Sequence, residues 1–142
     1  MKRSILSLSV VLIALVATAM PLAPETCPAP APGTFSVRVK QVARSIARHE
    51  GFCIRGTIAE RQHNPGGLIY VGQVGAKRGS RGYASFDDDV AGYLALLRDL
   101  EYKTAAGLNL GQIMRRWNMA NGGKYAAIVA RETGIGEAEM LQ

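Results

Sequence analysis

The sequence lacks the common nucleotide and metal-binding motifs. It contains no Gly-x-Gly-x-x-Gly or Walker pattern, so nothing in it indicates a site for nucleotide phosphates. His49-Glu50 is not part of a His-Glu-x-x-His motif and His63 is isolated, so we expect neither a metal nor another cofactor. No Gly-x-Ser-x-Gly run supports a Ser-His-Asp triad, although the sequence leaves that alternative open.

Cysteine is also scarce, with only Cys27 and Cys53. Their spacing is not that of metal ligands, and an oxidising compartment would permit them to pair. The bridge would tie an N-terminal tail to the region just beyond Glu50. Two free thiols are the alternative, because the sequence gives no Cα separation, and we favour the disulfide.

Long apolar runs are absent except at the start of the chain. A basic start, Met1-Lys2-Arg3, precedes an apolar stretch from Ile5 to Met20, and Ala17-Thr18-Ala19 has the pattern of a signal-peptidase site. The stretch is shorter than the roughly 20 residues that span a bilayer, which favours cleavage over a retained membrane anchor. We therefore predict a signal peptide at 1–19, a proline-rich linker at 20–34, and export to the periplasm or the exterior with only transient membrane passage.

Acidic residues are few, at 11 against 17 Lys and Arg, so the chain carries a formal net charge of +6. In an exported protein such a charge favours an anionic envelope polymer or membrane surface over nucleic acid. A basic glycine-rich loop at 75–82, with Lys77, Arg78 and Arg81, contains no aromatic residues, which is typical of a solvated loop or a glycan contact. We expect a monomer with no nucleic-acid partner.

Residues 35–142 predict one α+β domain, mainly helical with a small irregular β lobe. Apolar spacing indicates a helix from Ser36 to about Glu50, ended by Gly51. A glycine-rich region follows, with strands expected at Leu68–Val71 and Tyr83–Phe86. Three helices then begin near Asp87–Asp89, at Asn109 and at about Lys124. The buried stripe predicted for the first of them consists of Val90, Tyr93, Leu94, Leu97 and Leu100.

Glu50 lies at the end of the first helix, where the carbonyl groups already carry partial negative charge. It continues the buried stripe of Ala43 and Ile46, which places it inward or in a cleft. Burial and the helix end would both raise the pKa of Glu50, so it could donate a proton near neutral pH. A carboxylate that simply turns to solvent is the alternative.

A rigid polar turn follows at Asn64-Pro65-Gly66-Gly67, where Pro65 fixes φ and the glycines free the next positions. The run Arg61-Gln62-His63-Asn64-Pro65-Gly66-Gly67-Leu68 is similar to the Arg-Asn-Asn-Asn-Pro-Gly-Asn-Leu element of small transglycosylase-like domains. These domains belong to the lysozyme-like superfamily and occur in bacterial secreted and phage virion proteins. The chain departs from their element at Gln62, His63 and Gly67. A plain hairpin turn is the alternative to a sugar-binding one.

Two later runs strengthen this resemblance, which spans about Val42 to Gly134. Gly82-Tyr83-Ala84-Ser85-Phe86 resembles the family's Gly-aromatic-Ala-x-Phe run, and Tyr125 with Val129 resembles its Tyr-x-x-x-Val helix. The resemblance implies a lysozyme-like fold and cleavage of the β-1,4 linkage of peptidoglycan, or another envelope glycan, with Glu50 as the general acid. By motif position, it implies that Asn64, Gly66, Tyr83 and Tyr125 bind the substrate.

A second carboxylate is not evident. Glycosidases usually place one roughly 5 to 9.5 Å from the acid, and Glu60 is the candidate, with a solvated surface residue as the alternative. Lytic transglycosylases manage with one Glu, so we favour that class slightly over a hydrolase. A non-catalytic envelope-binding module of the same fold is the second hypothesis. Tyr83, Tyr125 and Trp117 could stack on sugars, although the helical spacing of Trp117 favours the core.

Overall fold

The computed structural model describes Cys27 and residues 33–142 of the chain. The predicted signal peptide and most of the linker lie outside these residues. The described part contains five α-helices and one small antiparallel sheet, which confirms a mainly helical α+β chain. The elements are α1 (Val37–His49), α2 (Ile58–Arg61), β1 (Ala76–Arg78), β2 (Ala84–Phe86), α3 (Asp89–Ala105), α4 (Leu110–Trp117) and α5 (Gly122–Thr133). Within the described ranges, no helix is long and apolar enough to cross a membrane.

Helix α1 begins and ends where its capping residues predict. The Ser36 hydroxyl accepts a hydrogen bond from the backbone N–H of Val39 at 3.1 Å, which caps the first turn. At the other end the backbone N–H of Glu50 donates to Ile46 at 2.8 Å, and Gly51 takes a positive φ of 77°. Glu50 is therefore held rigidly at the last turn of the first helix.

Side-chain caps also define the later helices. Asp88 accepts from the N–H of Ala91 at 2.8 Å at the start of α3, and Asn109 forms a capping box with Gln112 at the start of α4. Gly134, with a φ of 71°, ends α5. Helix α1 packs against α3 and α5, and α4 packs against α5, around a core that includes Ile46, Leu97, Leu100, Ile113, Met114 and Val129.

The buried face of α3 includes Tyr93, Leu97 and Leu100 as predicted, but it differs at Val90, at Leu94, which is only partly buried, and at Leu96. Val90 is 54% exposed, whereas Leu96 is fully buried. The first turn of α3 lies against the polar turn through Gly92, where a Cβ atom would sit only 1.8 Å from the carbonyl oxygen of His63. The absence of a side chain at Gly92 therefore lets the backbone of α3 lie directly against the polar turn.

The β lobe also differs from the expected hairpin. The strand that pairs with β2 is β1, which lies inside the predicted basic loop, with Ala76 opposite Phe86. Leu68–Val71 forms no strand and contributes a single bridge, between Ile69 and Tyr83. Ile69 and Val71 are 56% and 80% exposed, so their alternating pattern does not reflect a buried sheet face.

The predicted disulfide is confirmed. Cys27 and Cys53 are bonded, and their Cα atoms lie 5.0 Å apart. Cys27 packs against the core, with its sulfur 3.8 Å from the hydroxyl oxygen of Tyr93. The bond ties the tail to the loop after α1, and it is compatible with an oxidising compartment.

Candidate active site

The Glu50 side chain is half-buried between the end of α1 and the polar turn. The Tyr125 hydroxyl, on α5, lies 3.4 Å from Oε1 of Glu50 and donates a weak hydrogen bond to it. Burial raises the pKa of Glu50, and the Tyr125 hydroxyl, the His49 imidazole and the Trp117 indole oppose this effect without cancelling it. The carboxyl group is therefore protonated to a higher pH than an ordinary glutamate.

Gly67 lies directly against this carboxyl group. A Cβ atom on Gly67 would sit 2.6 Å from Oε2 of Glu50, and the residue has a positive φ of 56°. The N–H of Gly67 donates to the carbonyl oxygen of Asn64 at 3.1 Å, which closes the predicted tight turn. The close approach and the left-handed backbone both require glycine here. The sequence predicted Gly67 as a turn glycine and as a departure from the family element, but not its contact with Glu50.

Glu50 faces a cavity of about 180 Å³ between the helices and the β lobe. Its other lining residues are Ile58, Ala59, Asn64, Gly67, Arg81 and Tyr83. The structure thus brings three of the predicted site residues, Glu50, Asn64 and Tyr83, to one cavity, while Tyr125 reaches the same carboxyl group from α5. Arg81, with a positive φ of 55°, adds a cation that the sequence analysis left in a loop.

Gly67 also lines a second cavity, of about 290 Å³. Gly66, Gly67 and Trp117 line it, together with Leu68, Ile69, Val71, Gln73, Ala95, Asp99, Lys103 and Arg116. Trp117 is half-buried against the core, and its indole N–H donates to the carbonyl oxygen of Gly66 at 3.2 Å. Gly67 therefore forms part of the wall of both cavities, and it lies against the Glu50 carboxyl group.

Asn64 is only 1% exposed, and its amide is fully engaged within the protein. Its Nδ2 atom donates to the carbonyl oxygens of Leu68 and Ala84, both at 2.9 Å, and its Oδ1 atom accepts from the N–H of Leu68 at 2.9 Å. These bonds join the turn to β2. They give Asn64 a structural role, and its contact with a sugar stays a prediction.

Gln62 and His63, the two residues before Asn64, also form side-chain contacts within the protein. The side chain of Gln62 is buried and hydrogen-bonded to Ser80. The His63 ring lies 2.7 Å from the Asp89 carboxylate at the start of α3. Neither residue lines the two cavities, so both hold the turn in place.

Behind Tyr125 lies a cluster of polar side chains on α1 and α5. The His49 ring meets the Tyr125 ring edge-on at 5.7 Å between centroids, and its Nε2 atom is 2.9 Å from Oε1 of Glu132. The other carboxylate oxygen accepts from the buried Ser45 hydroxyl at 2.6 Å and lies 3.4 Å from Arg48. Partial burial acts to raise the pKa of Glu132, but these hydrogen bonds and charges hold it below its usual value. An ionised Glu132 thus orients His49 against Tyr125.

Glu60, the candidate second carboxylate, forms its hydrogen bonds away from the Glu50 cavity. Its Oε2 atom accepts from the N–H of Gly56 at 3.1 Å, and its backbone N–H donates to Thr57 at the start of α2. Glu60 does not line the cavity of Glu50. Asp99 lines the second cavity, where it pairs with Lys103. In the described part of the chain no three His, Cys, Asp or Glu side chains cluster as metal ligands.

The site residues that the sequence did not reveal are defined by contacts between distant parts of the chain. Gly67 was signalled by the Gly66-Gly67 pair, but its contact with Glu50 depends on how the turn folds back on α1. Ser45 and Glu132 are 87 residues apart in sequence and carried no local signal. A comparison with known proteins adds no assignment, since no family model, curated protein or solved structure matches this chain.

Proposed function

We propose that this protein is a lysozyme-like glycan-cleaving enzyme, acting on the β-1,4 linkage of peptidoglycan with Glu50 as its general acid. The observation that carries the proposal is the position of Glu50: a half-buried carboxyl group, with a raised pKa, that faces a cavity between the helices and the β lobe. A general acid must have access to the leaving oxygen and must carry a proton at the pH at which the enzyme acts. The exposure of Glu50 to the cavity serves the first requirement, and its raised pKa serves the second.

The residues around the acid favour a one-carboxylate mechanism. Of the residues that line the 180 Å³ cavity, Glu50 alone is acidic. The enzyme would then resemble a lytic transglycosylase more than a hydrolase with two carboxylates. Tyr83 at the cavity wall and Trp117 beyond Gly67 provide aromatic surfaces on which sugar rings can stack.

In this mechanism Glu50 transfers its proton to the glycosidic oxygen as the bond from that oxygen to C1 breaks, and the electron pair stays with the leaving oxygen. The N-acetyl group of the substrate stabilises the positive charge at C1. A hydroxyl group of the same sugar then attacks C1, and its proton returns to the Glu50 carboxylate. The product is an anhydro sugar, and Glu50 ends in its starting form.

Purified cell wall incubated with the protein and with its Glu50→Gln variant tests this proposal. Glutamine keeps the shape of the side chain but has no proton to donate. We expect release of muropeptides with anhydro-muramyl ends by the wild type, detected by mass spectrometry, and a loss of at least 100-fold in the variant, on the order of what a general acid contributes. Reducing ends would identify a hydrolase. Equal release by both proteins would refute the role of Glu50.

A second candidate function is a non-catalytic envelope-binding module of the same fold. The absence of a second acidic side chain from the residues lining the Glu50 cavity favours it, as does the internal use of the Asn64 amide. Retention on insoluble peptidoglycan without any sugar release would select this alternative.

A further inference from the structure

We propose that the 290 Å³ cavity beside Trp117 binds a carboxylate carried on a side branch of the glycan, that is, the peptide attached to a muramyl sugar. This inference rests on the proposed function and adds a specificity to it: preference for an acidic, peptide-bearing glycan over a neutral one. The residue that would confer this preference is Arg116, because the charge of Lys103 is offset by Asp99.

The charge of this cavity is positive. Among its lining residues, Lys103 and Arg116 are cationic and Asp99 is the one anion. Asp99 pairs with Lys103 one turn along α3, so it offsets that charge. None of the ion pairs in the described part of the chain involves Arg116, and its side chain is exposed. A guanidinium group in this position is suited to bind a carboxylate through two hydrogen bonds.

Lys103 is held in place rather than free to swing. Its ammonium nitrogen lies 5.1 Å from the centre of the Trp117 ring, a distance typical of a cation–π contact. Only 22% of its side chain is exposed. The Lys103–Asp99 pair is thus fixed beside the indole, and Arg116 supplies the net positive charge of the cavity.

Apart from Gln73, the remaining side chains of the wall are apolar, which favours a peptide over an inorganic anion. Ile69 and Val71 line the cavity and are 56% and 80% exposed, so they offer aliphatic surface to a ligand beside the cations. A volume of about 290 Å³ is near the lower limit for small-molecule sites. A short peptide, with aliphatic side chains and free carboxylates, matches both the apolar and the cationic parts.

The position of the cavity fits a branch of the same substrate. Gly67 lines both this cavity and that of Glu50, and Gly66 receives the Trp117 hydrogen bond. A glycan that crosses the turn at Gly67 would thus present a sugar substituent to Trp117 while its glycosidic bond lies beside Glu50.

Trp117 makes the inference directly measurable, because it is the only tryptophan in the chain. The Glu50→Gln variant, which binds without turnover, would be titrated with a cell-wall disaccharide peptide while Trp117 fluorescence is recorded. The comparison ligand is the same compound with its carboxyl groups converted to methyl amides. We expect the acidic ligand to bind about fivefold more tightly at low salt, and this difference to disappear at about 1 M salt.

A second substitution in the same background locates the effect. Arg116→Gln should remove most of the preference for the acidic ligand, and Arg116→Lys should retain part of it, since lysine keeps the charge but not the planar fork. Arg131→Gln is the matched control, because Arg131 is exposed on α5 and lines neither cavity. It should leave both affinities unchanged.

Equal affinity for the two ligands, or a preference that survives Arg116→Gln, would overturn this inference. The proposed function would then stand or fall separately, on Glu50-dependent release of sugars from cell wall by the wild type. If neither ligand binds and the wild type releases nothing, both proposals fail.

Discussion

The carboxyl group of Glu50 occupies the space that a side chain at position 67 would fill. The nearest carboxylate oxygen would lie 2.6 Å from a Cβ atom on Gly67, well inside van der Waals contact. The family element that this region resembles has asparagine at that position. Here the absence of a side chain at Gly67 lets the turn lie directly against the Glu50 carboxyl group. A larger residue at position 67 would therefore displace that carboxyl group.

Gly67→Ala is therefore expected to lower both stability and activity. The added methyl group displaces the Glu50 carboxyl group, and we expect at least a tenfold fall in glycan cleavage. The left-handed backbone adds a cost of about 1–2 kcal/mol in unfolding free energy. Cell-wall turnover and denaturant unfolding would measure the two effects.

The matched control for this change is Gly72→Ala. Gly72 has a positive φ of 83°, but a Cβ atom there would meet nothing within 4 Å. The control should lose similar stability from backbone strain while keeping its activity. Equal activity of the two variants would contradict the steric coupling of Gly67 to Glu50.

Tyr125→Phe is expected to move the pH dependence of cleavage upward. The Tyr125 hydroxyl bonds to the ionised carboxylate and so lowers the pKa of Glu50 against the larger effect of burial. Its removal leaves that pKa higher, and the acid form then persists to higher pH. The basic limb of a pH–rate profile should shift to higher pH, whereas Tyr102→Phe, at a 76% exposed position, should not shift it. A shift to lower pH would contradict the contact.

Glu50→Gln is expected to stabilise the fold at neutral pH. A carboxyl group with a pKa raised in the folded state contributes its full stability below the unfolded pKa and loses it as the pH rises through the folded pKa. Glutamine does not ionise, so the variant should gain stability at pH 8 and almost none at pH 3. The gain is small because water partly screens the half-buried group.

Thermal unfolding of both proteins across this pH range would measure the gain. Glu101→Gln, at an exposed position on α3, provides the control and should show no comparable change. A wild type that is more stable than Glu50→Gln at pH 8 would show that the carboxylate is favourably held and would oppose its role as an acid.

Loss of the Cys27–Cys53 disulfide is expected to lower the melting temperature by about 10 °C. The bond closes a loop with a sequence separation of 26, which corresponds to roughly 3 kcal/mol by loop-closure entropy. The paired variant Cys27→Ser with Cys53→Ser, compared with the wild type with and without reductant, would measure this effect. An unchanged melting temperature would mean that the tail contributes nothing to stability.

The helices were predictable because their signals are local. Ser36, Asp88, Asn109 and Gly134 mark helix ends through their own side chains or backbone freedom, and the structure confirms each. The position of Glu50 on the inner face of α1 follows from the same periodicity. These features depend only on residues a few positions apart.

The strands were not predictable in the same way. Which segment pairs with β2 depends on bonds formed by distant residues, such as that from the N–H of Phe86 to the carbonyl oxygen of Gln62. The alternating pattern of Ile69 and Val71 indicated a strand, but these side chains line the second cavity instead. Trp117 packs against the core and also lines the second cavity. This double role likewise could not be predicted without the tertiary structure.

The Asn64 amide has a consequence for how a ligand would be received. Its three hydrogen bonds hold one wall of the Glu50 cavity before anything is bound. A ligand therefore meets a preorganised surface and need not spend part of its binding free energy on ordering that wall. Replacing Asn64 would thus weaken binding through the entropy of the empty site, even if the side chain never touches the ligand.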